Sequence, residues 1–528
     1  MQLFSLKMLR VAIAACFFLP TLFLFLDFRE IGAQIIARYV LFVQFVPSLL
    51  KFLNTVAIGS IGFIVVLGSA LIFGRVYCST LCPLGTMQDI ICRLSRNKRL
   101  RRGTMKKEGG YRFSSPHSWL RYSILSLTVL FLLVGNGLLL NLLEPFSSFG
   151  RVVSNLVRPL VLAMNNLGAL FLEYVGSPVL YRVQWPAITS FSVGVSLTVF
   201  LLVGWLSAKY GRLYCNTLCP VGTLLGLVSK LSLIRIHFIP DTCIRCGSCE
   251  RVCKAACIDI GREEIDVTRC VGCFNCLDVC PTNTLRIGKA SRPQSSGRRT
   301  FMVGLVAGGM SAIASRLEAR QQGMPPLQSR PTTIPERKTC PVSPPGSESI
   351  ARFTSLCTAC HLCVSLCPSQ VLVPSFLGYG LSGMMQPQLD FRTSHCNFDC
   401  TICSGVCPSG ALVSLAKETK KRTQLGVAKF IKENCVVYTD NTNCGACSEH
   451  CPTKAVRMVP YLNATGRKLV IPEINGAICV GCGGCEHACP TIPYKAIYVE
   501  GNPVHKFAEK PVETKLMQQP ETGEDFPF

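Results

Sequence analysis

Two cysteine runs decide how the chain folds: C-I-R-C-G-S-C-E-R-V-C at residues 243–253 and C-V-G-C-F-N-C-L-D-V-C-P at residues 270–281. Each follows Cys-x2-Cys-x2-Cys-x3-Cys, a spacing in which three neighbouring thiolates wrap one face of a 4Fe-4S cube while the fourth crosses to a second cube. Cys243, Cys246, Cys249 and Cys280 are therefore assigned to one cluster, and Cys270, Cys273, Cys276 and Cys253 to the other. Mostly apolar sequence precedes this pair, and a polar linker with further cysteine runs follows it. The pattern reads as a wire with a membrane end and a soluble end.

Composition agrees. A length of 528 residues, 49% of them hydrophobic, with a mean hydropathy of +0.37 suits a partly membrane-embedded protein of about three domains. Of the 32 cysteines, 24 fall into six four-cysteine runs and four into two Cys-x3-Cys-Pro pairs, leaving Cys16, Cys92, Cys257 and Cys340. A disulfide scaffold has no reason to repeat such spacing, so clusters are favoured. The net charge of +24 sits largely in loops beside apolar spans, and thiolate-bound clusters are themselves anionic. No nucleic-acid recognition motif accompanies it.

Residues 1–235 read as a membrane domain. Four runs have spanning length: residues 11–28, 55–73, 124–140 and 188–206. A signal peptide is the rival reading of the first, but no small-x-small cleavage site follows it. The loop between the second and third runs carries ten Lys and Arg residues from Arg75 to Arg112, which places it in the cytoplasm by the positive-inside rule. Residues 144–187 then lie on the periplasmic side, with the broken apolar stretches 39–53 and 156–175 as interfacial helices of the outer face. A six-span arrangement is the alternative. No histidine falls in a span, so a haem held by paired histidines is unsupported. Glu144, in L-L-E-P-F, is the carboxylate proposed to accept a proton from quinol, with an ordinary interfacial Glu as the plain alternative.

An internal repeat sits on this scaffold: G-R-V-Y-C-S-T-L-C-P-L-G-T at residues 74–86 recurs as G-R-L-Y-C-N-T-L-C-P-V-G-T at residues 211–223. Pro83 and Pro220 suit a first helical turn, which sets Cys82 and Cys219 at helix N-termini. Brought together by pseudo-symmetry, Cys78, Cys82, Cys215 and Cys219 can ligate an additional metal centre or act as redox thiol pairs.

Residues 236–290 form the two-cluster domain, and residues 291–350 a hinge. Within the hinge, Arg298-Arg299, Phe301 and a Gly-rich apolar stretch read as a twin-arginine export signal, with Ala312-x-Ala314 as a cleavage-like site. A Pro- and Ser-rich linker follows. Residues 351–528 hold four more cluster runs: Cys357, Cys360, Cys363 and Cys367; Cys396, Cys400, Cys403 and Cys407; Cys435, Cys444, Cys447 and Cys451; and Cys479, Cys482, Cys485 and Cys489. Short strands are expected after the cluster helices, at residues 410–413 and 454–457. C-T-A-C-H at residues 357–361 also matches a haem-attachment motif, but the continuation to Cys363 and Cys367-Pro368 argues for a cluster. His361, His450 and His487 are expected at the surface. Spacing leaves open which of the four runs exchange their fourth cysteine.

Read whole, the chain resembles a fusion of the two partners of the NapGH-type quinol dehydrogenase, an accessory of periplasmic nitrate reductase. Residues 1 to about 290 are similar to NapH and its NosR and CcoG relatives; residues from about 295 resemble the MauM/NapG ferredoxins, with P-P-G at residues 344–346 ahead of the cluster runs. Two departures are the fusion itself and Lys254, which stands where proline usually follows the fourth cysteine, with Cys257 as an extra thiol nearby.

The expected fold is an α-helical polytopic membrane domain followed by α+β bacterial two-cluster ferredoxin-like domains. The expected cofactors are six [4Fe-4S] clusters, with quinol as substrate. The resemblance implies electron relay to a periplasmic reductase or its cytochrome partner, from a multi-pass protein of the bacterial inner membrane. Its first ferredoxin would be cytoplasmic and its C-terminal part periplasmic. A maturation factor that keeps a metalloenzyme's metal or thiols reduced is the alternative function.

Overall fold

The computed structural model describes residues 6–27, 32–55, 61–101, 111–176, 179–183, 185, 189–239, 242–289, 338–462, 466–491 and 494–510. The twin-arginine segment, most of the linker and part of the basic loop lie outside them. The chain divides into two compact units. The first is Met1–Pro331 with Ser343–Asp390 and Thr401–Leu415; the second is Thr332–Val342, Phe391–Cys400 and Ala416–Phe528.

The first unit begins with helices α1 (Leu6–Leu26), α2 (Ala33–Phe42), α3 (Phe45–Thr55), α4 (Gly62–Phe73), α5 (Tyr77–Thr80), α6 (Pro83–Arg101) and α7 (Ser118–Leu133). It continues with α8 (Leu138–Leu143), α9 (Pro145–Val152), α10 (Arg158–Tyr174), α11 (Ser190–Tyr210), α12 (Leu213–Thr217) and α13 (Pro220–Ser229). The repeat is visible as architecture. An apolar helix (α4 or α11) ends on a glycine, a short helix (α5 or α12) carries the first cysteine, and Cys-Pro opens a second helix (α6 or α13). At the opening of α13, the Cys219 sulfur caps the helix by accepting from Gly222 N at 3.3 Å, satisfying one of the donors every helix start leaves unpaired.

Among the described residues, three helical stretches are long and apolar enough to cross a membrane: Leu6–Leu26, Pro145–Tyr174 and Ser190–Tyr210. A fourth is the pair Ile35–Phe42 and Phe45–Asn54, if its 96° bend lies within one span. The first and last match expectation. The stretch 156–175, expected as an interfacial helix, is instead part of the 30-residue Pro145–Tyr174 helix. Pro159 does not break it, because a π-helical turn at Val153–Val157 precedes it and the proline falls in the first turn of α10, where its missing N–H costs no bond. The expected spans at 55–73 and 124–140 are shorter helices, of 12 and 16 residues among the described ones. The helix of the latter ends at Leu133, and Gly135 follows with φ 82°.

The two-cluster domain follows. Strand β1 (Ile234–Phe238) pairs antiparallel with β4 (Leu285–Lys289), and β2 (Ile258–Asp259) with β3 (Glu264–Ile265). Helices α14 (Ser248–Val252) and α15 (Asn275–Val279) carry the middle of each cysteine run. Residues 343–390 and 401–415 complete the unit with helix Ile350–Leu356 and the strand pair Leu372–Pro374 and Pro387–Leu389.

One continuous core runs through this unit. It joins Leu24 and Phe25 of α1, Phe146 and Phe149 of α9, Cys78, Cys82, Cys215 and Cys219 of the repeat, Val271 and Cys273, and Cys360, Leu362 and Leu366. In the second unit Thr423–Phe430 pairs with Ile497–Phe507, and Val456–Leu462 with Lys468–Ile474. The strand expected after the third C-terminal run thus forms, whereas residues 410–413 make no ladder and are tied by Val413 N to Gly346 O at 2.8 Å.

Candidate metal centres

The cysteines of residues 243–280 gather as two hollows. Cys243, Cys246, Cys249 and Cys280 line one, beside Phe238 and Ile260. Cys253, Cys270, Cys273 and Cys276 line the other, beside Ile236 and Ile265. The fourth cysteine of each run therefore stands with the other run's first three. Cys257 lines the second hollow as well, 1% exposed, with its sulfur 3.5 Å from that of Cys253. Its hydrogen bonds to Cys253 and Cys270 lower both of those thiols and raise its own, so Cys257 is the one that keeps its proton.

The next two runs share the first unit only in part: Cys357, Cys360, Cys363, Cys367, Cys403 and Cys407 belong to it, and Cys396 and Cys400 to the second unit. Burial first, then the neighbouring Cys360, Cys357 and Cys407, push the Cys363 thiol up, and Cys407 acts likewise on Cys357 and Cys360. The fourth cysteine of the second run thus joins the first three of the first. In the second unit Cys489 lines a hollow with Cys435, Cys444 and Cys447. Burial first, and then the charge of Cys451, push up the thiols of both Cys479 and Cys482. In the second unit the exchange left open by spacing therefore runs third with fourth, and in the first unit Cys407 of the second run stands with the first three cysteines of the first. Thiols converging on a hollow walled by apolar side chains are what a cluster requires: deprotonated soft ligands and exclusion of water.

The repeat builds a fifth gathering. Cys78, Cys82, Cys215 and Cys219 are 2–4% exposed and within electrostatic reach of one another. Two buried arginines lace the halves together crosswise. Arg75 donates to the Cys215 carbonyl at 3.0 Å and lies 3.9 Å from the Cys78 sulfur. Arg212 donates to the Cys78 carbonyl at 2.8 Å and lies 4.0 Å from the Cys215 sulfur. Each arginine comes from one half and holds a carbonyl of the other. The glycine after each Cys-Pro packs within its own half: a Cβ on Gly85 would stand 2.2 Å from the Cys78 oxygen, and one on Gly222 2.2 Å from that of Cys215.

The arginine charges are balanced asymmetrically. Asp89 of α6 meets Arg212 at 3.0 Å, Arg10 at 2.9 Å and Lys254 at 3.1 Å. Burial alone would raise its carboxyl, but Arg212, Lys254 and Arg10 hold it well below the usual carboxylate range. Arg75 instead uses neutral oxygens, Asn216 Oδ1 and Thr268 O, both at 2.8 Å.

Both ends of this gathering touch a predicted cluster. On one side Arg212 N donates to Lys254 O at 2.8 Å and Asn216 to Ala255 O at 3.2 Å, which seats the Cys253 loop on the repeat. On the other, a Cβ on Gly150 of α9 would stand 2.3 Å from Cys360 O, and Ser154 shares a 2.7 Å hydrogen bond with Ser365. His361, expected at the surface, is 1% exposed, between Asn155 Nδ2 at 3.4 Å and Met385 O at 2.9 Å. Burial, helped by Arg151, pushes it down to about 3, so it is neutral. His450 is exposed and His487 half-buried. Glu144 is 1% exposed and caps α9, both carboxylate oxygens accepting from the backbone N–H groups of Phe146 and Ser147.

Arg75, Arg212, Asn216 and Asp89 were not among the expected site residues. The two arginines had a signal, since they occupy the same place in both copies of the repeat; Asp89, outside it, had none.

Comparison with known proteins places 4Fe-4S models on several of these stretches. A 4Fe-4S binding domain model matches residues 55–102 and 192–238, and 4Fe-4S dicluster domain models match residues 356–412 and 442–492. The ferredoxin-type protein NapG of Escherichia coli K12 is 31% identical over 211 residues, 38% of this chain and 85% of that protein. The methylamine utilization ferredoxin-type protein MauM of Methylophilus methylotrophus is 34% identical over 168 residues, 31% of this chain and 70% of its own. The chain belongs to the NapG/MauM ferredoxin-type family. NapF of E. coli K12, another ferredoxin-type protein, is 26% identical over 162 residues, 30% of this chain and 87% of that one. No solved structure matches. As a member of this family the chain is an iron–sulfur electron-transfer protein with several 4Fe-4S sites. The model matching 55–102 and 192–238 falls on stretches whose cysteines are Cys78, Cys82 and Cys92, and Cys215 and Cys219.

Proposed function

We propose that this protein is a membrane-bound quinol dehydrogenase of the NapGH type, in which a NapH-like half and a NapG-like half are fused. Electrons from quinol would leave toward a periplasmic reductase of the nitrate-reductase type or its cytochrome partner. The observation that carries the reading is the single core joining Cys273, the four repeat cysteines and Cys360. Bound iron–sulfur centres, six at the four-cysteine runs and one at Cys78, Cys82, Cys215 and Cys219, would supply one-electron transfer. The chain's own residues supply spacing and insulation. Arg75 and Arg212 fix the repeat cysteines and offset thiolate charge, while the Cys253 and Cys360 loops dock on opposite sides of them.

The same reading puts the helices Leu6–Leu26, Pro145–Tyr174 and Ser190–Tyr210 in the bacterial inner membrane, the Cys243–Cys280 domain in the cytoplasm, and the later clusters in the periplasm. Quinol oxidation releases protons as well as electrons, and Glu144 is the acceptor we propose. It is within electrostatic reach of Cys360 and of Arg151, where a carboxylate can take a proton as the electron departs. A maturation role acting through exposed thiols suits the repeat less well, since its four cysteines are 2–4% exposed.

The test is anaerobic reduction of the purified protein by ubiquinol and menaquinol analogues. Bleaching of the cluster absorption supports the reading, and clusters that stay oxidised with both quinols reject it. Reporter fusions after Lys289 and after Lys510 test the topology, which fails if both report the same side.

A further inference from the structure

Among the described residues, the position four after the last cysteine of a run is buried in all five cases: Cys257 at 1%, Thr284 at 1%, Val371 at 1%, Ala411 at 0% and Ala455 at 0% exposed. In three of these five runs it is an aliphatic side chain that walls the cysteine loop, and the Thr284 hydroxyl is turned to Thr242 O at 3.0 Å. Cys257 alone puts a thiol there. Its sulfur lies 3.5 Å from Cys253 and also hydrogen-bonds Cys270, two of the four cysteines assigned to that hollow.

Cysteines that bind iron do so as thiolates and have no proton to give. With Cys253 and Cys270 ligating, the one proton these sulfurs share is that of Cys257, whose single S–H lies between the two ligand sulfurs. A donor aimed at a ligand sulfur withdraws negative charge from it, and reduction adds negative charge to a group that is already anionic. The donor therefore favours the reduced form. We propose that Cys257 is a positioning residue of the Cys253/Cys270/Cys273/Cys276 cluster, directing its single S–H at the ligand sulfurs of Cys253 and Cys270 and so raising the cluster's reduction potential. The proposal rests on the ligand assignment made above for that hollow.

The rise has a direction in the fold. This cluster faces the repeat, with Arg75 held on Thr268 O at 2.8 Å and the Lys254–Ala255 loop seated on Arg212 and Asn216. The Cys243/Cys246/Cys249/Cys280 hollow is more open to solvent, Cys246 being exposed. Cys257 thus strengthens the cluster at the repeat as an electron acceptor.

The experiment compares the full chain, purified anaerobically in detergent, with Cys257→Ala, Cys257→Ser and Cys273→Ala, reading iron and sulfide content and the midpoint potentials of the cluster EPR signals. Cys257→Ala should keep its iron while one signal moves to lower potential, and Cys257→Ser, whose hydroxyl still donates, should recover most of that shift. Unchanged potentials in Cys257→Ala, or loss of one cluster's iron there, would overturn the proposal alone, the latter by making Cys257 a ligand. Cys273→Ala should lose one cluster's iron. Full iron in that variant would overturn the ligand assignment and the proposal with it.

Discussion

Replacing Asp89 by Asn tests the crosswise lacing of the repeat. Asn keeps the shape of the side chain but removes the charge that three cations share: Arg212 at 3.0 Å, Arg10 at 2.9 Å and Lys254 at 3.1 Å. Arg212 is 0% exposed and its carboxylate partner 12%, so the freed guanidinium has no water to turn to. Removing one partner of a buried pair costs about 3–5 kcal/mol, because the other charge stays buried and unpaired. At about 2–4 °C per kcal/mol, the apparent melting temperature should fall by roughly 6–20 °C. The assay is thermal bleaching of the cluster absorption in detergent under anaerobic conditions. Asp278→Asn is the control, since its 3.1 Å pair with Lys7 joins side chains 32% and 42% exposed and should contribute at most about 1 kcal/mol. The sign with pH follows from the depressed Asp89 carboxyl. Its contribution is complete above the ordinary carboxylate value near 4 and fades as pH falls below it, so wild type and variant should converge in acid. Asp89→Asn melting within about 2 °C of wild type at neutral pH would refute the reasoning.

Three further outcomes are expected. Gly222→Ala puts a methyl 2.2 Å from the Cys215 carbonyl and should displace one half of the repeat, seen as lower iron content than in Gly405→Ala, where a Cβ meets nothing within 4 Å. Cys407→Ala should lose the EPR signal that Cys357→Ala loses, and Cys489→Ala the one lost in Cys435→Ala. If Cys407→Ala instead matches Cys396→Ala, the fourth-cysteine exchange is wrong. Glu144→Gln keeps an oxygen for the α9 cap and removes the proton acceptor, so quinol-driven reduction should slow at least tenfold while dithionite still reduces the clusters. Equal slowing by both reductants would mark Glu144 as structural.

Local chemistry was legible in the sequence where a short motif carries its own geometry. The cysteine runs named thiols that the structure gathers around hollows, and the repeat marked two helix starts at Cys-Pro. Residues 156–175, read as broken and flanked by proline, lie in one continuous helix in which a π-helical turn precedes Pro159. His361, read as a variable surface position within its run, is covered by Asn155 and Met385. The choice among fourth-cysteine partners and the role of Asp89 depend on side chains that meet across more than a hundred residues, as Asp89 and Arg212 do, and local pattern does not encode those meetings.

The crosswise arginines explain why the repeat has to be a repeat. A single Gly-Arg-x-Tyr-Cys-x3-Cys-Pro unit offers two thiols and an arginine whose carbonyl acceptor lies in the other copy. Alone it would leave a buried guanidinium unpaired, at a cost of several kcal/mol. Two copies satisfy each other, and the pairing brings four thiols to one place. The halves then diverge where they meet different neighbours. Arg212 took an acidic partner, Asp89, which also receives Lys254 from the Cys253 loop, whereas Arg75 took neutral oxygens from Asn216 and Thr268. Both sets of contacts reach residues that flank predicted ligands, Lys254 beside Cys253 and Thr268 two before Cys270. The bonds that assemble the four-thiol site are therefore the bonds that dock the neighbouring cluster domain on it. A substitution that loosens one should loosen the other, so the two should not be separable by mutation at Arg75 or Arg212.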